Sequence, residues 1–227
     1  MGVVTPAQRR AFLDERRAVS ARRYDELHAP SYDERWGEVS PTHRAYVDRL
    51  LASTPDGGLV VDVACGTGKY WPQLLRARRR VLGVDQSAGM LARAQAKHPE
   101  VATRVLALQE LARATDLAGV ADGLLCVDAL ENVGPEDWPV VLAGIRAVLR
   151  PGAPAYLTVE LPEGPLPEPT DPRQLPGELF AGGGYHYYPQ RDRVLGWLAG
   201  AGLALVDQAE ADGYRHLLVH SGRSGHR

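Results

Sequence analysis

The residue types best suited to chemistry lie in a glycine-rich segment and in two acidic residues beside it. Residues 60–68 have the sequence VVDVACGTG, an apolar run followed by a turn. Gly66 and Gly68 lack the Cβ atoms that would keep a ligand away from the backbone. Asp85 follows Asp62 by 23 residues, and a carboxylate at the end of a second strand can accept hydrogen bonds from ribose hydroxyls. The pattern predicts a site for an adenosine-like ligand.

The segment differs from the dinucleotide fingerprint at one position. That fingerprint has a third glycine, and Trp71 stands where it is expected. A diphosphate ligand is therefore disfavoured, although an NAD-dependent oxidoreductase stays open as an alternative. Asp62 lies one turn before the glycines and suits a ligand with a cationic amino group.

A second candidate group is an aromatic run at the end of a segment rich in glycine and proline. In residues 161–189, 12 of 29 residues are Gly or Pro. His186 is a candidate general base, because histidine is the side chain most often used for this role, with Tyr185 as its catalytic neighbour. Tyr187 and Tyr188 are candidates to hold a flat substrate. The alternative is that these residues pack the loop against the core.

The elements that must position these residues alternate along the chain. Apolar runs typical of buried strands alternate with helical segments between residues 59 and 160. Such alternation predicts βαβ units and a mostly parallel sheet with helices on both faces. We expect strands at 59–63, 81–85, 101–108, 123–127, 155–159, 203–207 and 215–220. The fold class is α/β, Rossmann-like and doubly wound.

Two helical segments precede the first strand. Residues 6–28 form the first, and Pro41 begins the second with Ser40 as its N-cap. We therefore divide the chain into an N-terminal helical cap or lid (1–55), a ligand-binding domain (56–220) with a substrate or lid loop (161–189), and a tail (221–227).

Composition excludes several classes of protein. The 227 residues carry a net charge of −2, so the simplest argument for a nucleic-acid partner is missing. No apolar run approaches the ~18 residues of a membrane span. The N-terminus is polar and basic, so we expect no secretory signal and a cytoplasmic location. Two cysteines alone form neither a disulfide framework nor a zinc site, and we expect no metal.

The motifs together resemble the class I S-adenosylmethionine-dependent methyltransferases, in particular the small-molecule branch that includes the quinone-biosynthesis methyltransferases. The resemblance covers roughly residues 20–220. It rests on the sequences DVACGTG at 62–68, GVD at 83–85 with the Ser87 to Leu91 segment, LRPG at 149–152, and the upstream Tyr24-Asp25, Tyr32-Asp33 and Trp36.

The resemblance implies a cofactor, S-adenosyl-L-methionine, with S-adenosyl-L-homocysteine as product. It implies a seven-stranded sheet whose last strand is antiparallel and lies between its two predecessors. Asp62 would hold the methionine amino group, and Asp85 the ribose. Gln109 or Glu110 would contact the adenine. The remaining implied cofactor contacts are Tyr24, Tyr32, Ala64, Gly66, Gly68 and Asp128.

The sequence departs from related branches in ways that concern the acceptor. Glu131-Asn132 replaces a histidine-containing pair that often follows the fourth strand. The motifs of nucleic-acid amino methylation and of the catechol-type metal site are missing, and Glu160 stands alone after the fifth strand. Glu131 and Glu160 are candidates to bind a cationic acceptor.

We therefore expect methyl transfer to an oxygen or nitrogen of a small molecule, with secondary metabolism as one setting. Carbon methylation of a quinone-like ring and a non-catalytic accessory role stay open as alternatives. Two segments are expected to move as a lid, the N-terminal helices and residues 162–184, with Gly182-Gly183-Gly184 as a hinge. Neither the acceptor nor the oligomeric state follows from the sequence.

Overall fold

A computed structural model describes residues 4–181 and 184–222 of the chain. Strands and helices alternate through its central part, as the sequence predicts. The strands are β1 (Leu59–Val63), β2 (Arg80–Asp85), β3 (Ala102–Val105), β4 (Gly123–Cys126), β5 (Pro154–Glu160), β6 (Glu178–Ala181), β7 (Gly184–Tyr187), β8 (Leu203–Ala211) and β9 (Tyr214–Ser221). The helices are α1 (Pro6–Arg23), α2 (Tyr32–Trp36), α3 (Pro41–Ala52), α4 (Trp71–Arg76), α5 (Ala88–Lys97), α6 (Trp138–Val148) and α7 (Arg191–Gly200).

Seven strands form one sheet in the order β3-β2-β1-β4-β5-β9-β8. The first five strands in this order pair in parallel. The last strand in the chain, β9, runs antiparallel to both β5 and β8 and lies between them. The predicted doubly wound fold and the position of its last strand are therefore confirmed.

Helices pack on both faces of this sheet, because successive strand residues point to opposite faces. One apolar cluster contains Val61 and Val63 of β1 together with residues of α1, α6 and α7. The other contains Val60 of β1 together with residues of α3, α4 and α5. All three of these valines are fully buried, which fixes the register of β1 and so the direction of the turn that follows it.

The start of α4 explains why the third glycine of the dinucleotide fingerprint is missing. The Trp71 ring lies against Gly68 and Gly83, where it occupies the space that Cβ atoms would need; a Cβ on Gly68 would come within 2.6 Å of the ring. Its indole nitrogen donates a hydrogen bond to Asp62 Oδ2 at 2.9 Å. The two glycines thus make room for a tryptophan that holds β1 and β2 together.

Three segments differ from the sequence-based prediction. The first helix ends at Arg23, and residues 24–28 form a single wider turn. The third strand is shorter than expected and is followed by a 3₁₀ segment at Leu108–Arg113. Within the expected loop, β6 and β7 form an antiparallel hairpin. Gly182 and Gly183 of the expected hinge lie outside the described residues.

Among the helices of the described ranges, none is both long enough and apolar enough to cross a membrane.

Candidate active site

A pocket lies at the carboxyl ends of β1, β2, β3 and β4, where ligands of doubly wound sheets bind. It combines polar groups from the strand ends with apolar walls from Met90, Leu106 and Leu108. Most of the predicted cofactor contacts lie together in its lining: Tyr24, Tyr32, Ala64, Gly66, Asp85, Gln109 and Asp128. The structure therefore brings these seven residues to one place. We name this space the cofactor pocket.

Asp85 is held in place by the backbone of both neighbouring turns. Its Oδ2 accepts from the Gly66 N–H and its Oδ1 from the Ser87 N–H, both at 2.8 Å. Burial raises the pKa of this carboxyl, and the two backbone hydrogen bonds oppose that shift. Each oxygen retains a lone pair that can accept from a ligand hydroxyl.

The structure places Asp62 and Gly68 differently from the other predicted contacts. Asp62 lines a small adjoining pocket that shares Tyr32, Ala64, Gly66 and Asp128 with the cofactor pocket. Burial raises the pKa of Asp62 to about 7. Gly68 lies over the Trp71 ring, so its missing Cβ accommodates this side chain.

The segment between α1 and α3 covers the cofactor pocket, and two carboxylates that the sequence argument did not assign fasten it there. Asp25 accepts from the Ser87 hydroxyl and from the Gly89 N–H. Asp33 accepts from the Thr67 hydroxyl and from Lys97. Each aspartate directly follows a tyrosine of the pocket lining. The repeated Tyr-Asp dipeptide was the sequence signal for this arrangement.

Asp128 lies where three pockets meet. Its carboxylate accepts from Lys69 Nζ at 2.9 Å and lies 3.2 Å from His43 Nε2. These contacts outweigh the opposing effect of burial and lower the pKa of Asp128 to about 2. From the sequence, His43 is an alternative to His186, whereas Lys69 was not among the predicted site residues. Lys69 could have been found, since it directly follows the glycine turn.

A second cavity of about 500 Å³ adjoins the cofactor pocket. The two share Ser20, Tyr24, Tyr32, Asp128 and Asn132 as walls. Residues distant in sequence complete the second cavity; these include Trp36, His43, Glu131, Glu160, His186 and Tyr214. We name this space the acceptor cavity.

His186 faces the acceptor cavity from β7. Its Nδ1 lies 3.0 Å from Glu160 Oε2, at the end of β5. Its Nε2 makes no hydrogen bond within the described part of the chain. The Tyr188 ring stacks on the imidazole with centroids 6.1 Å apart. A histidine whose Nδ1 is held by a carboxylate presents Nε2 as a proton acceptor.

Tyr185 and Tyr187 are placed away from this cavity, in contrast to their predicted catalytic and substrate-binding roles. They are 4% and 2% exposed. The Tyr185 hydroxyl donates to Glu178, and the Tyr187 ring packs near Trp197. Because side chains alternate along a strand, both point to the face of the hairpin opposite His186. The sequence contained this alternation, but without knowledge of the hairpin its orientation could not be assigned.

Glu131 lies in the 3₁₀ turn Leu130–Asn132 after β4 and is only 5% exposed. It lines the acceptor cavity. Its Oε1 accepts from the Asn132 side-chain amide at 3.1 Å, while Oε2 is buried without a hydrogen-bond partner among the described residues. Burial raises the pKa of Glu131 well above its usual range, and Asp128 and Glu160 add to the shift.

Comparison with known proteins shows which class of enzyme this chain resembles. Residues 60–152 match a family model described as a methyltransferase domain. The tuberculostearic acid methyltransferase UfaA1 of Mycobacterium tuberculosis is 32% identical over 156 residues, which is 65% of this chain and 35% of that protein. The chain thus spans about a third of that relative's length.

Two further similarities cover more of the respective proteins. The ubiquinone biosynthesis O-methyltransferase of Xanthomonas axonopodis pv. citri is 26% identical over 176 residues, 74% of this chain and 71% of that protein. The Burkholderia thailandensis 1,6-didemethyltoxoflavin-N1-methyltransferase, solved with 1,6-didemethyltoxoflavin and S-adenosylhomocysteine, has the same fold with a TM-score of 0.63 at 19% identity. That match covers 98% of this chain and 92% of the other.

The chain is therefore similar to the class I methyltransferases, whose cofactor is S-adenosylmethionine. The residues at the cofactor pocket fit this ligand chemically. Asp85 offers carboxylate oxygens for ribose hydroxyls. Met90, Leu106 and Leu108 form an apolar wall for a purine, and Asp128 adds negative charge for a cationic methionine end.

Proposed function

We propose that this protein transfers a methyl group from S-adenosylmethionine to an oxygen or nitrogen atom of a small molecule bound in the acceptor cavity. The observation that carries this proposal is the wall shared by the two cavities. Tyr24, Tyr32 and Asp128 border both, and His186 faces the acceptor cavity alone. A methyl donor and an acceptor can therefore meet across a short boundary.

His186 is the proposed general base. The cofactor supplies an activated methyl group, so the protein's part is to align the acceptor atom, exclude water and remove a proton. Nε2 of His186 receives the proton that leaves the acceptor oxygen or nitrogen. Glu160 holds Nδ1 at 3.0 Å, and its negative charge stabilises the imidazolium that forms.

The acceptor cavity has the size and lining of a small-molecule site. Its volume of about 500 Å³ lies within the roughly 300–1,000 Å³ of ligand pockets. Tyr32, Trp36 and Tyr214 provide aromatic surface around its polar groups. This combination favours a flat acceptor with a few polar atoms. The toxoflavin-type methyltransferase with the same fold binds such a molecule, 1,6-didemethyltoxoflavin.

We further propose that the N-terminal segment acts as a lid over residues 56–220. Asp25 and Asp33 fasten this segment to the turns after β2 and β1. Arg9 of α1 binds Glu178 of the hairpin and Glu136, so the proposed lid also reaches the wall that carries His186. Release of these contacts would open both cavities.

Incubation with cofactor labelled on the methyl group, together with fractionated small molecules from the source cell, tests the proposal. We expect label in one small-molecule fraction, on oxygen or nitrogen, with His186 required for turnover. Label on a ring carbon would contradict the proposal and indicate carbon methylation instead. Label only in nucleic acid would overturn it, and cofactor binding without transfer to any fraction would indicate an accessory role.

A further inference from the structure

Asp128, Glu131 and Glu160 are three of the five carboxyl groups that line the acceptor cavity among the described residues, and their partners differ. Asp128 has Lys69 and His43 within hydrogen-bond distance, and Glu160 has His186. Glu131 has the neutral Asn132 amide on one oxygen and no partner on the other. Within the described ranges no arginine, lysine or histidine forms an ion pair with Glu131.

The remaining titratable groups around Glu131 are also unable to neutralise it. The carboxyl groups of Asp128 and Glu160 repel a negative charge there. Several other neighbours are neutral in their usual state: Tyr24, Tyr32, Cys126, Tyr188 and Tyr214. The cationic side chains of Arg23, Arg35 and Lys69 line the same cavity, but none of them forms a hydrogen bond or ion pair with Glu131 in the described part of the chain. A buried carboxylate without a cation is costly and takes up a proton instead. Burial of Oε2 without a partner within the described ranges therefore favours the protonated form of Glu131, which has one O–H to donate.

We propose that Glu131 is a specificity-determining residue that donates a hydrogen bond from its carboxylic acid to a carbonyl oxygen or an unprotonated ring nitrogen of the acceptor. This proposal rests on the proposed function and narrows its substrate class. The acceptor is then neutral, with a hydrogen-bond-accepting atom that meets Glu131 and an O–H or N–H that meets His186. A ligand atom of this kind supplies the partner that a buried polar group requires.

The proposal differs from the interpretation that Glu131 and Glu160 bind a cation. An ionised Glu131 would attract an ammonium group, whereas the protonated form has no charge to offer it. The substitution Glu131→Gln separates the two cases, because glutamine can donate a hydrogen bond, as the carboxylic acid does, but cannot carry the negative charge of a carboxylate. Glu131→Met has a similar length and cannot donate, and Glu26→Gln serves as control since Glu26 is exposed.

The protonation state is tested first, without any ligand. The infrared difference spectrum of wild type minus Glu131→Gln at pH 7 should contain the carbonyl band of a protonated carboxylic acid. The Glu26→Gln control should contain only carboxylate bands. A wild-type minus Glu131→Gln spectrum with carboxylate bands alone overturns the proposal.

Ligand choice is tested with two probes of similar size on protein saturated with S-adenosylhomocysteine. Benzamide carries a neutral carbonyl oxygen and benzylamine a cation. By ligand-observed NMR titration, benzamide should bind wild type and Glu131→Gln within about twofold, and Glu131→Met roughly five- to tenfold more weakly. The proposal is overturned if wild type binds benzylamine more tightly than benzamide, or if Glu131→Gln loses the binding of benzylamine. It is also overturned if benzamide does not bind wild type. Failure of S-adenosylhomocysteine to bind would instead refute the proposed function.

Discussion

The cofactor pocket and the acceptor cavity adjoin, yet they are assembled from different parts of the chain. The candidate recognition groups of the cofactor pocket lie at strand ends: Asp85 is the last residue of β2, and Gly66 and Asp128 follow β1 and β4 within three residues. The acceptor cavity combines α2, the start of α3, β7 and β9, which are far apart in sequence. A site at strand ends is fixed by local pattern, whereas a cavity between distant elements depends on how those elements pack.

The β6–β7 hairpin shows the difference between the two cavities most clearly, because its residue His186 lines the acceptor cavity and not the cofactor pocket. Its orientation is held by Arg9 of α1, which forms ion pairs with the fully buried Glu178 and with Glu136. These contacts join residues 127 and 169 positions apart. On the face of β7 towards these ion pairs, Tyr185 donates to Glu178, and on the other face His186 lines the acceptor cavity.

The largest expected effect concerns the acceptor cavity alone. His186→Ala should lower turnover roughly a hundredfold or more, since positioned general bases contribute on this scale, and leave the affinity for S-adenosylhomocysteine unchanged. Single-turnover kinetics on the labelled fraction and calorimetry give the two values. His220→Ala, outside both described cavities, is the control. Turnover within about threefold of wild type would make His186 a structural residue.

The second effect concerns the cofactor pocket. Asp85→Ala should weaken S-adenosylhomocysteine binding roughly ten- to a hundredfold, because hydrogen bonds to a charged group contribute roughly 1.5–3 kcal/mol. Calorimetry measures it, and circular dichroism must show an intact fold, since Asp85 also accepts from two backbone amides. Asp116→Ala, at an exposed ion pair with Arg104, is the control. Wild-type affinity in Asp85→Ala would remove the carboxylate from cofactor recognition.

The strand ends could be predicted because their signals are local. β1 has the predicted bounds, and Asp85 is the last residue of β2, as the apolar run that it ends predicts. The Trp71 contact with Gly68 and Gly83 could not be predicted, because it joins a helix start to a neighbouring strand. Of the two glycines of the turn, Gly66 lines the cofactor pocket, whereas Gly68 accommodates the Trp71 ring.

The acceptor side was harder to predict for a physical reason. A segment with many glycine and proline residues gives no strand pattern, so the hairpin Glu178–Tyr187 was expected as a loop. The ion pairs of Arg9 and the contact between His43 and Asp128 join elements without any shared sequence signal. The sequence does not distinguish a charged residue that is buried in an ion pair from one that is exposed, because this depends on how the elements pack.

The third expected effect concerns the proposed lid, whose residues Tyr24 and Tyr32 line both cavities. Asp25→Ala removes the acceptor for the Ser87 hydroxyl and the Gly89 N–H, so the segment around residues 24–36 should open roughly tenfold more often. Hydrogen exchange with mass spectrometry measures this, and adding S-adenosylhomocysteine should restore protection. Glu26→Ala is the matched control, since its side chain is exposed. Equal exchange in both variants would contradict the proposed fastening.

The smallest effect distinguishes the two faces of β7. Tyr185→Phe removes a buried hydroxyl that donates to Glu178, and because Arg9 still pairs with that carboxylate, the loss should be only about 1 kcal/mol of unfolding free energy. Urea denaturation measures it, and turnover should stay near the wild-type value. Tyr188→Phe is the matched comparison. The Tyr188 ring stacks on His186, and its hydroxyl makes no hydrogen bond to Glu178. A large loss of turnover in Tyr185→Phe at unchanged stability would restore its predicted catalytic role.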